Sequence, residues 1–130
     1  ASLLVNIGVL CAEQGDVERA VEHFQLARGI FEAHGVLETT DGAGLLSNMG
    51  NALLELGELD AAREELVLAR SILEAEEKLH TEEGANVLFA LGAAYGELGE
   101  TSEALSQFRL LRSLIDDGAI ELDAEVTNEL

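Results

Sequence analysis

Apolar residues along this chain recur with the period of a helix, and the helices they mark recur with a longer period. Leu4, Ile7, Gly8 and Cys11 share one stripe at the i, i+3, i+4, i+7 spacing, which predicts a helix over residues 1–14. Gly15, free to adopt positive φ, ends it and turns the chain back. A second helix over residues 17–34 carries Val17, Ala20, Val21, Phe24, Ala27 and Phe31 on one face. The same pair returns 42 residues on as Leu46, Met49, Gly50 and Leu53, then Gly57, then Leu59, Ala62, Leu66 and Ala69. It returns again as Leu88, Leu91, Gly92 and Tyr95, then Gly99, then Ala104, Leu105 and Phe108. Gly8, Ala20 and Ala27 are short where two antiparallel helices meet, and a large side chain there would overpack the contact by about 1–3 kcal/mol. Leu111 breaks the pattern set by Ala27 and Ala69, so the third pair is expected to splay or shift locally.

Polar residues punctuate the repeat. Thr39, Thr81 and Asp123 recur in register as N-caps, and Asp16 sits where a carboxylate suits the start of a second helix. The chain therefore divides into units 1–38, 39–80 and 81–122, with the start of a fourth at 123–130, in a single array of residues 1–130. Because it begins at Ala1 without an initiator Met and stops inside a unit, it reads as a fragment of a longer array. A period of this size marks an all-α solenoid of antiparallel helix pairs, each burying its apolar face against its neighbours. Phe24, Leu66 and Phe108 are then expected to be buried between their own helix pair and the next. Leu105, Leu114 and Ile115 would form an exposed apolar patch through which array ends of two copies could associate. Arg28, Arg70 and Arg112 each precede an acid by four residues (Glu32, Glu74 and Asp116), the spacing of helical ion pairs.

The pattern Leu-x-x-Met-Gly-x-x-Leu, a glycine turn and Ala-x-x-x-Leu-x-x-Ala resembles the tetratricopeptide repeat (TPR) over nearly the whole chain. The 42-residue period exceeds the common 34 and is similar to the repeats of the kinesin light chain type. Those repeats typically carry Asn-Asn-Leu-Ala in the first helix; Asn6 and Asn48 match its second asparagine, and Ala90, their counterpart in the third unit, does not. The resemblance implies right-handed superhelical stacking, with the first helix of each pair lining a concave groove that holds peptides. The stripe opposite the internal one supplies the candidate peptide-binding residues: Asn6, Val9 and Glu13; Ser47, Asn48, Asn51 and Glu55; Asn86, Phe89 and Glu97. An asparagine amide both donates and accepts, so it can satisfy a peptide backbone without reading its side chains.

Charge narrows the partner. Seven Lys and Arg against 26 Asp and Glu give a net charge of −19, which excludes a phosphate-binding surface for nucleic acid and attachment to an anionic membrane. Apolar content of 48% is too high for a disordered acidic tail, and no stretch approaches the roughly 20 apolar residues of a membrane span. The one cysteine cannot form an internal disulfide, so a reducing, cytoplasmic setting is expected. His23, His34 and His80 show no metal-ligand spacing with one another or with Cys11, which is read as a buried structural thiol. No phosphate loop, H-E-x-x-H or G-x-S-x-G is present, so neither catalysis nor a cofactor is expected.

The basic residues avoid the first helices: Arg19, Arg28, Arg63, Arg70, Arg109 and Arg112 lie on second helices and Lys78 in a linker. The cationic clamp with which chaperone-binding TPRs hold a C-terminal carboxylate is therefore missing. Glu13, Glu55 and Glu97 recur at the groove side of each turn, with Asp16, Glu58 and Glu100 beyond, which favours a basic partner. These features make the chain a non-enzymatic protein-interaction scaffold binding a peptide or helix. The alternatives are a self-associating structural spacer and a sensory or regulatory repeat domain.

Overall fold

The structure, a computed structural model, describes residues 2–118, and these form six helices: α1 (Ser2–Glu13), α2 (Val17–Ala33), α3 (Thr40–Glu55), α4 (Leu59–Ala75), α5 (Glu82–Glu97) and α6 (Thr101–Asp116). No strand occurs among the described residues. The fourth unit expected at 123–130, with its N-cap Asp123, lies outside them.

Each helix end has a local cause. Gly15, Gly57 and Gly99 take φ of 86°, 77° and 82° and close the three hairpins. In each, the next amide reaches back to a carbonyl of the last turn: Asp16 to Cys11 at 2.8 Å, Glu58 to Leu53 at 3.0 Å, Glu100 to Tyr95 at 2.9 Å. This is the Schellman closure, and it satisfies carbonyls that the helix leaves unpaired. Val36 and Lys78 close α2 and α4 in the same way, bonding Phe31 at 2.9 Å and Leu73 at 2.8 Å. Thr39 and Thr81 accept the amides of Gly42 and Gly84, both at 3.2 Å, and so start α3 and α5 as the sequence leads one to expect. Asp16 caps α2 by accepting from the Arg19 amide, whereas Glu58 and Glu100 make no side-chain cap bond.

Within each pair a glycine receives a large side chain. A Cβ on Gly8 would fall 2.6 Å from the Phe24 ring, one on Gly50 2.5 Å from Leu66, and one on Gly92 2.6 Å from Phe108. The recurrence of small residues thus marks the closest approach inside a pair. Between pairs, α2 packs on α3 and α4 on α5. Phe24, Ala20 and Val21 form one core with Leu45, Met49 and Leu53, while Leu66 packs with Ala90, Leu91 and Ala94.

Long polar side chains bridge the successive second helices. Arg28 reaches Glu65 at 3.3 Å, Arg63 reaches Glu100 at 3.2 Å, and Arg70 donates to the side-chain oxygen of Gln107. All three bridges span 37 residues. The pairs within helices form as well, Arg28 with Glu32 at 3.3 Å, Arg70 with Glu74 at 2.6 Å and Arg112 with Asp116 at 3.6 Å.

The third pair departs from expectation in two places, while Leu111, standing where the earlier units have alanine, is 2% exposed and packs with Ala85 and Leu88. Phe108 is half-buried, unlike Phe24 and Leu66, because the described chain places no further helix pair over it. Of the expected apolar patch only Leu105 is exposed, at 43%, since Leu114 and Ile115 pack against the Leu111 cluster.

Candidate functional site

The backbones of α1, α3 and α5 approach one another in succession, whereas those of α2, α4 and α6 do not. Second helices meet only through the long side chains described above. The first helices therefore form the inner wall of a curved array, and their outward stripe is the candidate binding surface.

A first helix inside such an array touches three neighbours: its own partner, the preceding unit and the following one. This leaves a narrower open stripe than a two-faced helix would. Asn51 is exposed at its centre, and its counterpart Val9 is half-buried. Glu13, Glu55 and Glu97 are exposed at one end of it, and Asn86 is exposed near the other. Ser47 is not available to a ligand. It is 2% exposed, and Glu83 in the first turn of α5 lies beside it. Phe89 holds the same register as Ser47, so it belongs to the face that stacks on a following unit; it is 48% exposed and meets Phe108 edge-on at 5.8 Å.

The asparagine register is also uneven. Asn6 is exposed, Asn48 is half-buried, and Ala90 is buried against α5 and α3 neighbours that include Leu91 and Leu54. Each first helix covers this position on the next, so an equivalent row of amides is not presented.

The electrostatics of the stripe are more regular than its shape. Glu13, Glu55 and Glu97 are each the last residue of a first helix. Helix C-termini carry partial negative charge, so a carboxylate there is opposed by the dipole, by roughly 0.3–1 kcal/mol at an exposed site. No basic residue occupies the last turn of α1, α3 or α5, and none of the ion pairs among the described residues involves these three glutamates. The adjoining N-termini of α2, α4 and α6 do not offset them, because each already has its own acid in Asp16, Glu58 or Glu100. One edge of the inner wall is thus acidic three times over, against local helix energetics.

Two further carboxylates lie in the joints between units. Glu65 faces Arg28, yet burial holds its pKa above the ordinary range; the Arg28 Nε and Glu65 Oε2 atoms, 3.3 Å apart, are buried without hydrogen-bond alignment. Burial also raises Glu83, with the neighbouring Ser47 hydroxyl opposing and Glu82 adding to the shift. Neither glutamate stood out in sequence; the 37-residue step that links Arg28 to Glu65 and Arg70 to Gln107 was the available signal. Cys11 is half-buried against the first core and not fully enclosed. Among the described residues no group of three or more His, Cys, Asp and Glu could hold a metal, and no helix is long and apolar enough to cross a membrane.

Comparison with known proteins gives a consistent result. Tetratricopeptide repeat family models match residues 1–32 and 43–114. BtubC (BKLC) from P. vanneervenii superposes with a TM-score of 0.83 at 17% identity, over 89% of this chain and 46% of that one. This chain thus spans under half of that protein's length. The TPR domain of Arabidopsis FLU superposes with a TM-score of 0.77 at 16% identity, over 88% of this chain and 92% of that one. No curated relative matches the sequence.

Proposed function

Because this chain belongs to the tetratricopeptide-repeat family, we propose that it is a protein-interaction scaffold whose inner wall holds a basic peptide or helix. The family is in general a non-enzymatic interaction module, and no cofactor enters the proposal. The observation that carries the basic partner is the row Glu13, Glu55 and Glu97, each at a helix C-terminus that disfavours it and none in an ion pair. A cationic ligand relieves both the mutual repulsion and the opposition of the dipoles. Asn51 and Asn86, exposed on the same wall, supply amides for the ligand backbone. All seven basic residues lie off the first helices, so nothing on the wall competes for the acids. The single, half-buried cysteine suits a reducing compartment, and the cytoplasm is the location we propose.

Labelled peptides of equal length and graded charge, titrated at low and high salt, test this. Lysine- and arginine-rich peptides are expected to bind, more weakly as salt rises. The double change Glu55→Gln with Glu97→Gln should reduce that affinity and flatten its salt dependence. Preference for acidic peptides, or binding of basic ones indifferent to both salt and the double change, would overturn the proposal.

A further inference from the structure

The acidic edge of the inner wall has a step, and the step sets what can lie along it. In the second unit, α3 has α1 on one side and α5 on the other, and Glu55 and Asn51 are still exposed. Their openness therefore belongs to the wall and owes nothing to a missing neighbour. Glu13, Glu55 and Glu97 end three successive first helices, so a ligand that meets all three must run across the helices. α1 and α3 bring Cα atoms within 8 Å of each other, as do α3 and α5. Helix axes packed this closely stand about 10 Å apart, and the acids recur at that step.

Two ligand conformations can place one charge about every 10 Å. A helix rises about 1.5 Å per residue and needs a cation at every seventh position. An extended, polyproline-like segment rises about 3.1 Å per residue and turns every side chain at a spacing of three to the same side. The floor beside the acids decides between them. Asn51 lies one helical turn inside Glu55 on the same stripe, and its amide can both donate to and accept from a backbone. A helical ligand has already paired its own amides and carbonyls, whereas an extended one has not. Gly44, two turns before Asn51 on that stripe, has nothing within 4 Å of where a Cβ would stand. A glycine inside a helix costs stability, and no packing contact requires this one; it leaves room for a backbone. Resting on the basic-partner reading above, we propose that the partner segment lies extended across the wall, with a lysine or arginine at every third position to meet Glu13, Glu55 and Glu97 in turn.

The positions between those cations face a wall that asks little of them. Val9 and Ala93, the counterparts of Asn51, are half-buried and uncharged, and neither carries an amide. The acid at the far end of α3, Asp41 in its first turn, lies fourteen residues from Glu55, about 21 Å along the helix. One extended segment passing over Asn51 meets the Glu55 row and not that one. The wall then recognises a charge period, and the intervening side chains are free to vary. Because the glutamates are exposed, preference for the period should fade as salt screens it. Asn51 pairs with neutral backbone, so its contribution should persist at any salt.

Labelled peptides of one length and composition, differing only in where their three lysines fall, provide the test. With lysines at every third position the peptide should bind about fivefold more tightly at low salt than with lysines adjacent, or at every second or every seventh position. High salt, or Glu55→Gln with Glu97→Gln, should erase that advantage. Asn51→Ala should weaken the every-third peptide about threefold at low and high salt alike. Its circular dichroism should stay unchanged, because the side chain is exposed. Equal affinity for every spacing, still falling with salt, overturns the register and leaves the basic-partner reading standing. A preference for every seventh position overturns the extended ligand, as does an Asn51→Ala chain that binds like the parent. If no lysine peptide binds at any spacing, the basic-partner reading fails and the register falls with it.

Discussion

At the scale of single residues, the array depends on where side chains are missing. Phe24, Leu66 and Phe108 lie against Gly8, Gly50 and Gly92, and a methyl group there would enter the neighbouring side chain. Gly50→Ala should therefore cost about 1–3 kcal/mol by overpacking. Gly44→Ala, on the same helix with nothing within 4 Å of its Cβ, should instead stabilise by roughly 0.5–1 kcal/mol. Urea melts of the two variants separate these outcomes, and equal effects would deny the close approach. Phe24→Ala should cost about 3–5 kcal/mol and Phe108→Ala clearly less, since only the first ring is fully enclosed. The glycines at 8, 50 and 92 were legible in the sequence because they recur beside recurring large residues. Gly42 and Gly84 were not, although a Cβ on either would collide with the carbonyl of Leu37 or Leu79. What they approach is linker backbone, which leaves no side-chain pattern to read.

At the scale of helices and their joints, the ends were legible and the lateral contacts less so. Threonine N-caps and glycine turns are local devices, so their sequence signatures survive any packing, and Thr81→Ala should cost about 1 kcal/mol in a thermal melt. Ser47 was misread because helical periodicity separates two faces, whereas a first helix here has three neighbours. The joints also carry the clearest pH dependence. Glu65 and Glu83 both titrate above the ordinary glutamate value of 4.5. A carboxyl raised on folding contributes stability that is full below its unfolded pKa and is lost as pH rises through the folded one. The melting temperature should consequently be higher near pH 5 than near pH 7.5. Glu65→Gln should raise it at neutral pH and flatten the profile, because Gln107 already accepts from Arg70 in the equivalent joint. A Glu65→Gln chain less stable than the parent at pH 7.5 would show that the Arg28 pairing outweighs burial.

At the scale of the whole molecule, stability in a solenoid is a sum of units and nearest-neighbour interfaces, so it need not be uniform. The middle pair, α3 and α4, is covered from both sides, and α3 buries Leu45, Leu46, Met49 and Leu53 among its residues. In α1 only Gly8 is buried among the side chains described, and α6 buries Ala104, Gln107 and Leu111. Local opening should therefore be easiest at the two flanks, where fewer apolar contacts resist it. Amide hydrogen exchange on the dilute chain should protect α3 and α4 most, then α2 and α5, with α1 and α6 exchanging fastest. Since interfaces carry this order, weakening one should redistribute protection and not merely lower it everywhere. Leu66→Ala, which removes the side chain joining α4 to Ala90, Leu91 and Ala94, should loosen α5 and α6 while α1 and α2 keep most of their protection. Uniform loss across all six helices would mean that the array unfolds as one cooperative block.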